Sequence, residues 1–124
     1  MSFFNVNNLQ MFYTKEGKGL PLVFIHGLGS DHRIWKYQFA GLKDRFTVIA
    51  ADNRYHGKTT VRDENFSVYE IADLAEDLKF FLEFILNRKA YLLGISMGSA
   101  IAMQVTVDHP ELVAGLFLVE PWAS

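Results

Sequence analysis

Residues 90–100 read Ala-Tyr-Leu-Leu-Gly-Ile-Ser-Met-Gly-Ser-Ala, and this stretch contains the most informative pattern in the chain. A short apolar run ends at Gly94, and a helical pattern begins directly after Ser96. The spacing Gly-x-Ser-x-Gly between a strand and a helix predicts a sharp turn that presents a nucleophilic serine. Gly94 and Gly98 leave room for a strained backbone at Ser96. The helix that follows directs its N–H groups and the positive end of its dipole toward an oxyanion formed there.

Taken alone, the pentapeptide also fits a plain glycine-rich turn between a strand and a helix, because Gly and Ser are common residues. The flanking sequence favours the catalytic interpretation. Continuous apolar runs predict buried strands at 22–25, 46–51, 90–94 and 113–119, and residues 2–6 and 9–14 predict an N-terminal hairpin around Asn7-Asn8.

Helical patterns lie between these strands. The first follows Ser30 or Asp31, the second follows a capping-box spacing from Ser67 to Glu70, and the third follows Ser96. The alternation of strands and helices predicts an α/β domain built on a mainly parallel sheet.

The bulk composition sets limits on function. The chain has 124 residues, 50% of them hydrophobic, with no cysteine and a net charge of −2. We therefore expect one domain over 1–124, no disulfide or Cys-based metal site, and no nucleic-acid partner. The N-terminus does not resemble a signal peptide and no apolar run approaches 18 residues. A cytoplasmic protein without a membrane partner is the expectation.

Three motifs match one family pattern in order: His-Gly-Leu-Gly at 26–29, Asp-Asn-Arg-Tyr-His-Gly-Lys-Thr at 52–59, and the serine turn at 94–98. The chain resembles the α/β-hydrolase superfamily, in particular its small serine esterases and enol-lactonases. This resemblance implies a doubly wound sheet of about six strands in the order 1-2-4-3-5-6. Tyr55 departs from the pattern, which has glycine there. Serine rather than aspartate at position 96 argues against epoxide hydrolases and haloalkane dehalogenases.

The resemblance also implies the roles of individual residues. Ser96 is the nucleophile, and the backbone N–H groups of Leu28 and Met97 form the oxyanion hole. The residues that shape the site are His26, Gly27, Gly29, Gly94 and Gly98. No metal and no organic cofactor is implied.

The resemblance covers only the first half of the family's core. The family order is Ser, then Asp or Glu, then His, but no histidine follows His109. Counterparts of strands 7 and 8 and of a cap domain are absent from the sequence. His109 is expected about 18–20 Å from Ser96 along the helix. His32 and His56 are loop residues at the same edge of the sheet.

Candidate acids lie at two strand ends. Glu120 follows the strand after the serine turn, where some superfamily members place the triad carboxylate; the alternative is a solvated strand-end residue. We expect Asp52 to organise its own loop with Arg54. Trp122 lines either a substrate cleft or a subunit contact.

The sequence therefore predicts a serine hydrolase of carboxylic esters or lactones that acts through an acyl-enzyme at Ser96 but is incomplete as this chain. The alternative is a non-catalytic chain of the same fold that serves as a binding or assembly module. Strand 113–119 is expected to be an open edge that pairs with a second copy or with a complementary chain.

Overall fold

A computed structural model describes residues 2–6, 8–62 and 69–121 of the chain. Within these residues there are seven strands, three α-helices and two short 3-10 helices. In chain order the elements are β1 (Ser2–Val6), β2 (Leu9–Gly17), β3 (Leu20–Ile25), a 3-10 helix (His32–Trp35), α1 (Lys36–Leu42), β4 (Phe46–Ala51), β5 (Thr60–Val61), α2 (Ile71–Ile85), β6 (Ala90–Ser96), α3 (Met97–Asp108), a 3-10 helix (Pro110–Leu112) and β7 (Val113–Pro121).

The strands form one sheet in the order β1-β2-β4-β3-β6-β7. The four strands β4, β3, β6 and β7 run parallel to one another, whereas β1 and β2 form an antiparallel hairpin and β2 pairs antiparallel with β4. This order confirms the predicted α/β fold class and the N-terminal hairpin. The two-residue strand β5, which pairs with β2, was not predicted.

Helices cover both faces of the sheet, and β3 shows how the sequence sorts its side chains between them. Val23 and Ile25 point to the face that packs against α2 and α3. Leu22 and Phe24 point to the opposite face, where they pack with Trp35 beside α1. The strand is apolar on both faces, as a parallel strand between two helical layers must be.

The start of α2 differs from the prediction. Tyr69 and Glu70 are not helical, and the helix begins at Ile71 with Glu70 as its N-cap. The Glu70 N–H donates to Asp73 Oδ2 at 2.7 Å, and the Glu70 side chain accepts from the Asp73 N–H, which together form a capping box. Ser67, the predicted cap, lies outside the described residues. Among the described helices none is long and apolar enough to cross a membrane.

The outer edge of the sheet is open in the described part of the chain, because β7 pairs with β6 alone. Phe117 is 52% exposed and Val119 is 42% exposed on this strand. An apolar groove of about 450 Å³ runs from Leu42 at the end of α1 to Phe117. The edge of the sheet at β7 therefore presents both unpaired backbone groups and apolar side chains.

Candidate active site

The turn at Ser96 is as sharp as the sequence pattern requires. Ser96 ends β6 and caps α3, with φ 55° and ψ −121°. A Cβ on Gly94 would overlap the backbone of Gly98, and a Cβ on Gly98 would overlap the backbone carbonyl of Ile25. Both glycines are thus needed for the start of α3 to lie this close to β6 and β3.

The loop after β3 lies directly against Ser96. A Cβ on Gly27 would stand 3.2 Å from Ser96 Cβ and 3.7 Å from Ser96 Oγ. The Ser30 N–H donates to the Gly27 carbonyl at 3.2 Å, and Gly29 has φ 77°, so residues 27–30 form a turn with a left-handed third residue. Leu28, at the tip, is 66% exposed. Its side chain points to solvent, and only its backbone is available to the site.

The two predicted oxyanion-hole residues, Leu28 and Met97, flank Ser96 in different segments of the chain, and their role as donors remains a prediction. Met97 is the first residue of α3, whose leading N–H groups have no acceptor within the helix. Leu28 stands between Gly27, which lies against Ser96, and Gly29, whose N–H donates to His56 Nε2. Met97 itself is buried, so its side chain belongs to the core.

His26 ties the loop after β3 to the loop after β4. Its Nε2 accepts the Asn53 N–H at 3.0 Å, and its Nδ1 lies 2.7 Å from the Gly27 carbonyl. These partners require a neutral ring with its proton on Nδ1. Burial lowers the pKa of His26, and the nearby His56 adds to this, although the hydrogen bond to Gly27 and the charges of Asp52 and Asp31 partly oppose the shift.

His56 makes a second link between the same two loops. Its Nε2 accepts the Gly29 N–H at 3.0 Å, while its Nδ1 lies 2.9 Å from the Arg54 carbonyl. The ring centroids of His26 and His56 are 5.1 Å apart. The two histidines therefore use the same pair of ring atoms in the same way, from opposite loops.

Asp52 is completely buried and joins its loop to the 3-10 helix. It accepts the His32 N–H at 2.7 Å and the Lys58 N–H at 2.8 Å, and His32 Nδ1 lies 2.8 Å from it. The predicted partnership of Asp52 with Arg54 is wrong. Arg54 instead donates two hydrogen bonds to Asp77 on α2, at 2.9 and 3.0 Å, because its side chain turns toward the helix.

No histidine among the described residues bonds to Ser96. His26, His32 and His56 are engaged as above, and His109 lies at the far end of α3, near Glu76 and Glu111 of neighbouring elements. A helix of 12 residues puts His109 about 18 Å from Ser96. In the described part of the chain Ser96 therefore lacks a general base.

Glu120 lies beside Ser96 at the same end of the sheet. Ile95 pairs with Val119 and Ser96 pairs with Pro121, so Glu120 is the extra residue of a bulge in β7. Its φ is 46° and its side chain is exposed. The placement at the serine edge agrees with the expected strand polarity, and a catalytic role for the carboxylate remains a prediction. Trp122 lies outside the described residues.

Tyr55 keeps the backbone shape of the glycine that the family pattern has at its position. Its φ is 66°, in the left-handed region that glycine adopts most easily. Although tyrosine replaces glycine here, the backbone of the loop is therefore still left-handed at residue 55.

The structure adds two residues that the sequence analysis did not single out. Asn53 donates its backbone N–H to the His26 ring and its side-chain N–H to the His26 carbonyl. Asp77 is buried in α2 and holds Arg54; burial raises the pKa of its carboxyl while Arg54 lowers it. A signal for Asp77 was present, because it is an acidic residue next to the apolar positions Leu74 and Leu78. Nothing in the sequence indicates that Asn53 contacts His26.

One group of side chains in the described residues has the composition of a metal site. The ligand atoms of Asp31, His32 and Asp52 lie within 4.8 Å of one another. The Asp31 carboxylate already accepts hydrogen bonds from Arg33, which lowers the pKa of that carboxyl to about 2. Asp52 accepts from His32 and from a backbone N–H. The arrangement is a hydrogen-bonded network that connects loops.

Comparison with known proteins places these features in a family. A family model described as alpha/beta hydrolase fold matches residues 21–124. The dihydrolipoyllysine-residue acetyltransferase component of the acetoin cleaving system of Cupriavidus necator is 32% identical over 120 residues, which are 96% of this chain and 31% of that protein. The 2-(acetamidomethylene)succinate hydrolase of Mesorhizobium japonicum is 27% identical over 116 residues, 94% of this chain and 41% of that protein.

Among solved structures, an enzyme described as degrading N-acyl homoserine lactones superposes with a TM-score of 0.88 at 29% identity. The match covers 97% of this chain and 45% of the other. The chain thus spans less than half the length of each of these relatives.

Proposed function

The chain belongs to the alpha/beta hydrolase fold family, and we propose that it provides the nucleophile and oxyanion hole of a serine hydrolase that cleaves carboxylic esters or lactones. The observation that carries this proposal is the contact between the Ser96 turn and the loop after β3. Ser96 stands at positive φ before a helix start, with Gly27 against its side chain. This closeness of the Ser96 turn, the start of α3 and the loop after β3 supports a site made of the Ser96 hydroxyl and backbone N–H groups from both segments.

In the proposed reaction Ser96 Oγ attacks the carbonyl carbon of the substrate, and its proton passes to a general base. The carbonyl oxygen becomes an oxyanion, which accepts hydrogen bonds from the Leu28 and Met97 N–H groups. Collapse of the tetrahedral intermediate expels the alcohol and leaves an acyl-enzyme at Ser96. Water then attacks the acyl carbon, releases the acid and regenerates the hydroxyl.

None of the described histidines is hydrogen-bonded to Ser96, which supports a base supplied from outside the described residues. We propose that it is a histidine on a polypeptide that joins the sheet at β7. Two observations support this: β7 has an unpaired edge in the described part of the chain, and the relatives are more than twice as long as this chain. Glu120, in the bulge next to Ser96, is the proposed acid that orients this histidine.

The proposed substrate class is supported by the nucleophile and by two relatives. Serine attack on a carbonyl gives an acyl-enzyme from an ester or a lactone alike. One structural relative degrades N-acyl homoserine lactones, and another relative is a hydrolase of 2-(acetamidomethylene)succinate. Both names describe the breakdown of small molecules that contain carbonyl groups, which agrees with the proposal.

A second candidate is a non-catalytic module of the same fold. The observation that favours it is the same lack of a histidine next to Ser96 among the described residues. In this case the open edge of β7 would serve assembly only, and the Ser96 turn would be retained for its part in the fold.

A fluorophosphonate probe separates the two candidates. Together with the polypeptide that supplies the histidine, the chain is expected to form a covalent adduct on Ser96, detected by intact mass and located by peptide mapping. The Ser96→Ala variant is the matched control and should gain no mass. Absence of any adduct on Ser96 after prolonged incubation, in a form that includes this polypeptide and is shown to be folded by circular dichroism, would leave only the assembly module.

A further inference from the structure

We propose that His56 is a positioning residue for the oxyanion hole: it holds the 27–30 turn, which carries the proposed Leu28 donor, in place against Ser96. This inference rests on the proposed function, since it concerns the same site. His56 lies on the loop after β4 and reaches the turn through a single contact, its Nε2 accepting the Gly29 N–H at 3.0 Å.

The turn has little else to hold it. Leu28 is 66% exposed, so its side chain has little packing contact. Gly29 has no side chain, and a Cβ placed on it would meet nothing within 4 Å. The Ser30 N–H closes the turn onto Gly27 but does not restrain the peptide between Leu28 and Gly29. The hydrogen bond to His56 fixes the orientation of that peptide.

The orientation of this peptide is the feature that separates two common turns. With a hydrogen bond from residue four to residue one, a turn is type I or type II according to which way its central peptide faces. The φ of 77° at Gly29 matches type II. A flip to type I would turn the Gly29 N–H away from His56 and reverse the Leu28 carbonyl, which would change the shape of the turn that carries the Leu28 N–H.

The His56 ring is itself held in place. It is 8% exposed, its Nδ1 lies 2.9 Å from the Arg54 carbonyl, and its ring centroid lies 5.1 Å from that of His26. A carbonyl at Nδ1 and an N–H at Nε2 require a neutral ring with its proton on Nδ1. His26 has the same requirement. Two imidazoles in the same tautomer therefore join the loop after β3 to the loop after β4, one on each side of Leu28.

Two substitutions separate the two ends of the His56 ring. In His56→Gln the side-chain amide reaches the place of Nε2 and its oxygen can accept the Gly29 N–H. In His56→Asn the amide occupies the place of Nδ1 and can donate to the Arg54 carbonyl, but it cannot reach Gly29. A role in folding alone predicts similar effects of both changes. A positioning role predicts that Gln rescues and Asn does not.

The test uses three measurements, the first two on the 124-residue chain and the third on a form that includes the polypeptide supplying the histidine. Nitrogen-15 spectra of the wild-type imidazoles at neutral pH are expected to show the proton on Nδ1 of His56. Amide exchange at Gly29 should remain slow in His56→Gln and become fast in His56→Asn. The rate of Ser96 modification by a fluorophosphonate should fall about tenfold or more in His56→Asn and stay within about threefold of wild type in His56→Gln, since loss of one oxyanion donor costs up to roughly 10²–10³.

The outcomes are distinct. Equal Ser96 modification rates in the two variants, or a wild-type His56 with its proton on Nε2, would overturn the positioning role. The tautomer measurement needs no variant, so it decides even where His56→Asn fails to fold. If wild-type Ser96 does not react at all, the proposed function is wrong, while the tautomer and the Gly29 exchange still decide whether His56 holds the turn. His109→Gln, at the far end of α3, is the control and should match wild type in all three measurements.

Discussion

Ser96 and Glu120 both have positive φ, 55° and 46°, and they lie next to each other at the carboxyl ends of the parallel strands β6 and β7. Left-handed backbone at a residue other than glycine costs on the order of 1–3 kcal/mol and persists only where the surroundings impose it. For Ser96 the surroundings are the crowded backbones at Gly94 and Gly98, and for Glu120 they are the bulge that shifts the register by one residue. Strained positions of this kind cluster at functional sites.

The isolated chain is expected to hydrolyse activated short-chain esters at a negligible rate. Loss of the histidine of a catalytic triad lowers turnover by about 10⁴ to 10⁶, and what remains comes from the oxyanion hole and from binding. The measurement compares initial rates of the wild-type chain with those of Ser96→Ala. A serine-dependent rate near that of ordinary esterases would show that His32 or His56 acts as a base after all.

Glu120→Gln is expected to slow ester hydrolysis by about 10²- to 10⁴-fold in a form that includes the polypeptide supplying the histidine, because the acid holds that histidine in its productive tautomer. Glu111→Gln, at the opposite end of β7, is the matched control and should leave the rate unchanged. Equal rates for the two variants would remove Glu120 from the proposed triad. So would an experimental structure with the Glu120 carboxylate more than about 12 Å from Ser96, which is roughly the span of the relay.

Gly98→Ala is expected to destabilise the fold by about 3 kcal/mol or more, because overpacking against rigid backbone cannot be relieved by a rotamer change. Gly41→Ala is the control. It lies in α1 with nothing within 4 Å of the added Cβ, so it should stabilise by about 0.5–1 kcal/mol. Urea unfolding of both variants checks the two signs. A Gly98→Ala chain as stable as wild type would show that α3 does not approach Ile25 this closely.

We expect the chain to self-associate through β7 when no complementary chain is present. An open strand with exposed Phe117 and Val119 and no charged residue from 113 to 119 is a template for pairing. Phe117→Lys should shift the protein toward monomer in sedimentation experiments. Val107→Lys, which adds the same charge at an exposed position of α3, should not shift the protein toward monomer. A wild-type chain that is monomeric in dilute solution would argue decisively against pairing at this edge.

Stability is expected to decrease below pH 6.5 because of His26. Burial lowers the pKa of His26 from its ordinary value of 6.5. Below that pH His26 is protonated in the unfolded chain while it stays neutral in the folded chain. The unfolded state therefore binds more protons, and the free energy of unfolding falls. The urea midpoint should therefore drop between about pH 7.5 and pH 5. The drop should be smaller in His26→Gln, which has no titrating ring; an equal drop would assign the effect to other groups.

The order of the strands was implied by the resemblance to the family. The sequence by its own patterns indicated the buried parallel strands, the N-terminal hairpin and the turn at Ser96. These features follow from local patterns. An apolar run such as 22–25 must be covered on both faces, and a serine between glycines two residues away on each side permits only a tight strand-to-helix turn. The same reasoning misplaced the start of α2, since the acidic pair Glu70 and Asp73 caps the helix as well as a serine does.

Only the tertiary structure decided how the loops around Ser96 are joined. Asp52 binds His32, Arg54 binds Asp77, and His56 binds Gly29, over separations of 20, 23 and 27 residues. Polar side chains on loops have several partners within reach, and the sequence pattern does not rank them. The choice is made by which backbone groups the packed strands and helices bring within hydrogen-bond distance. The bulge at Glu120 has the same origin, because the register of β7 is set by its packing against β6 and α3.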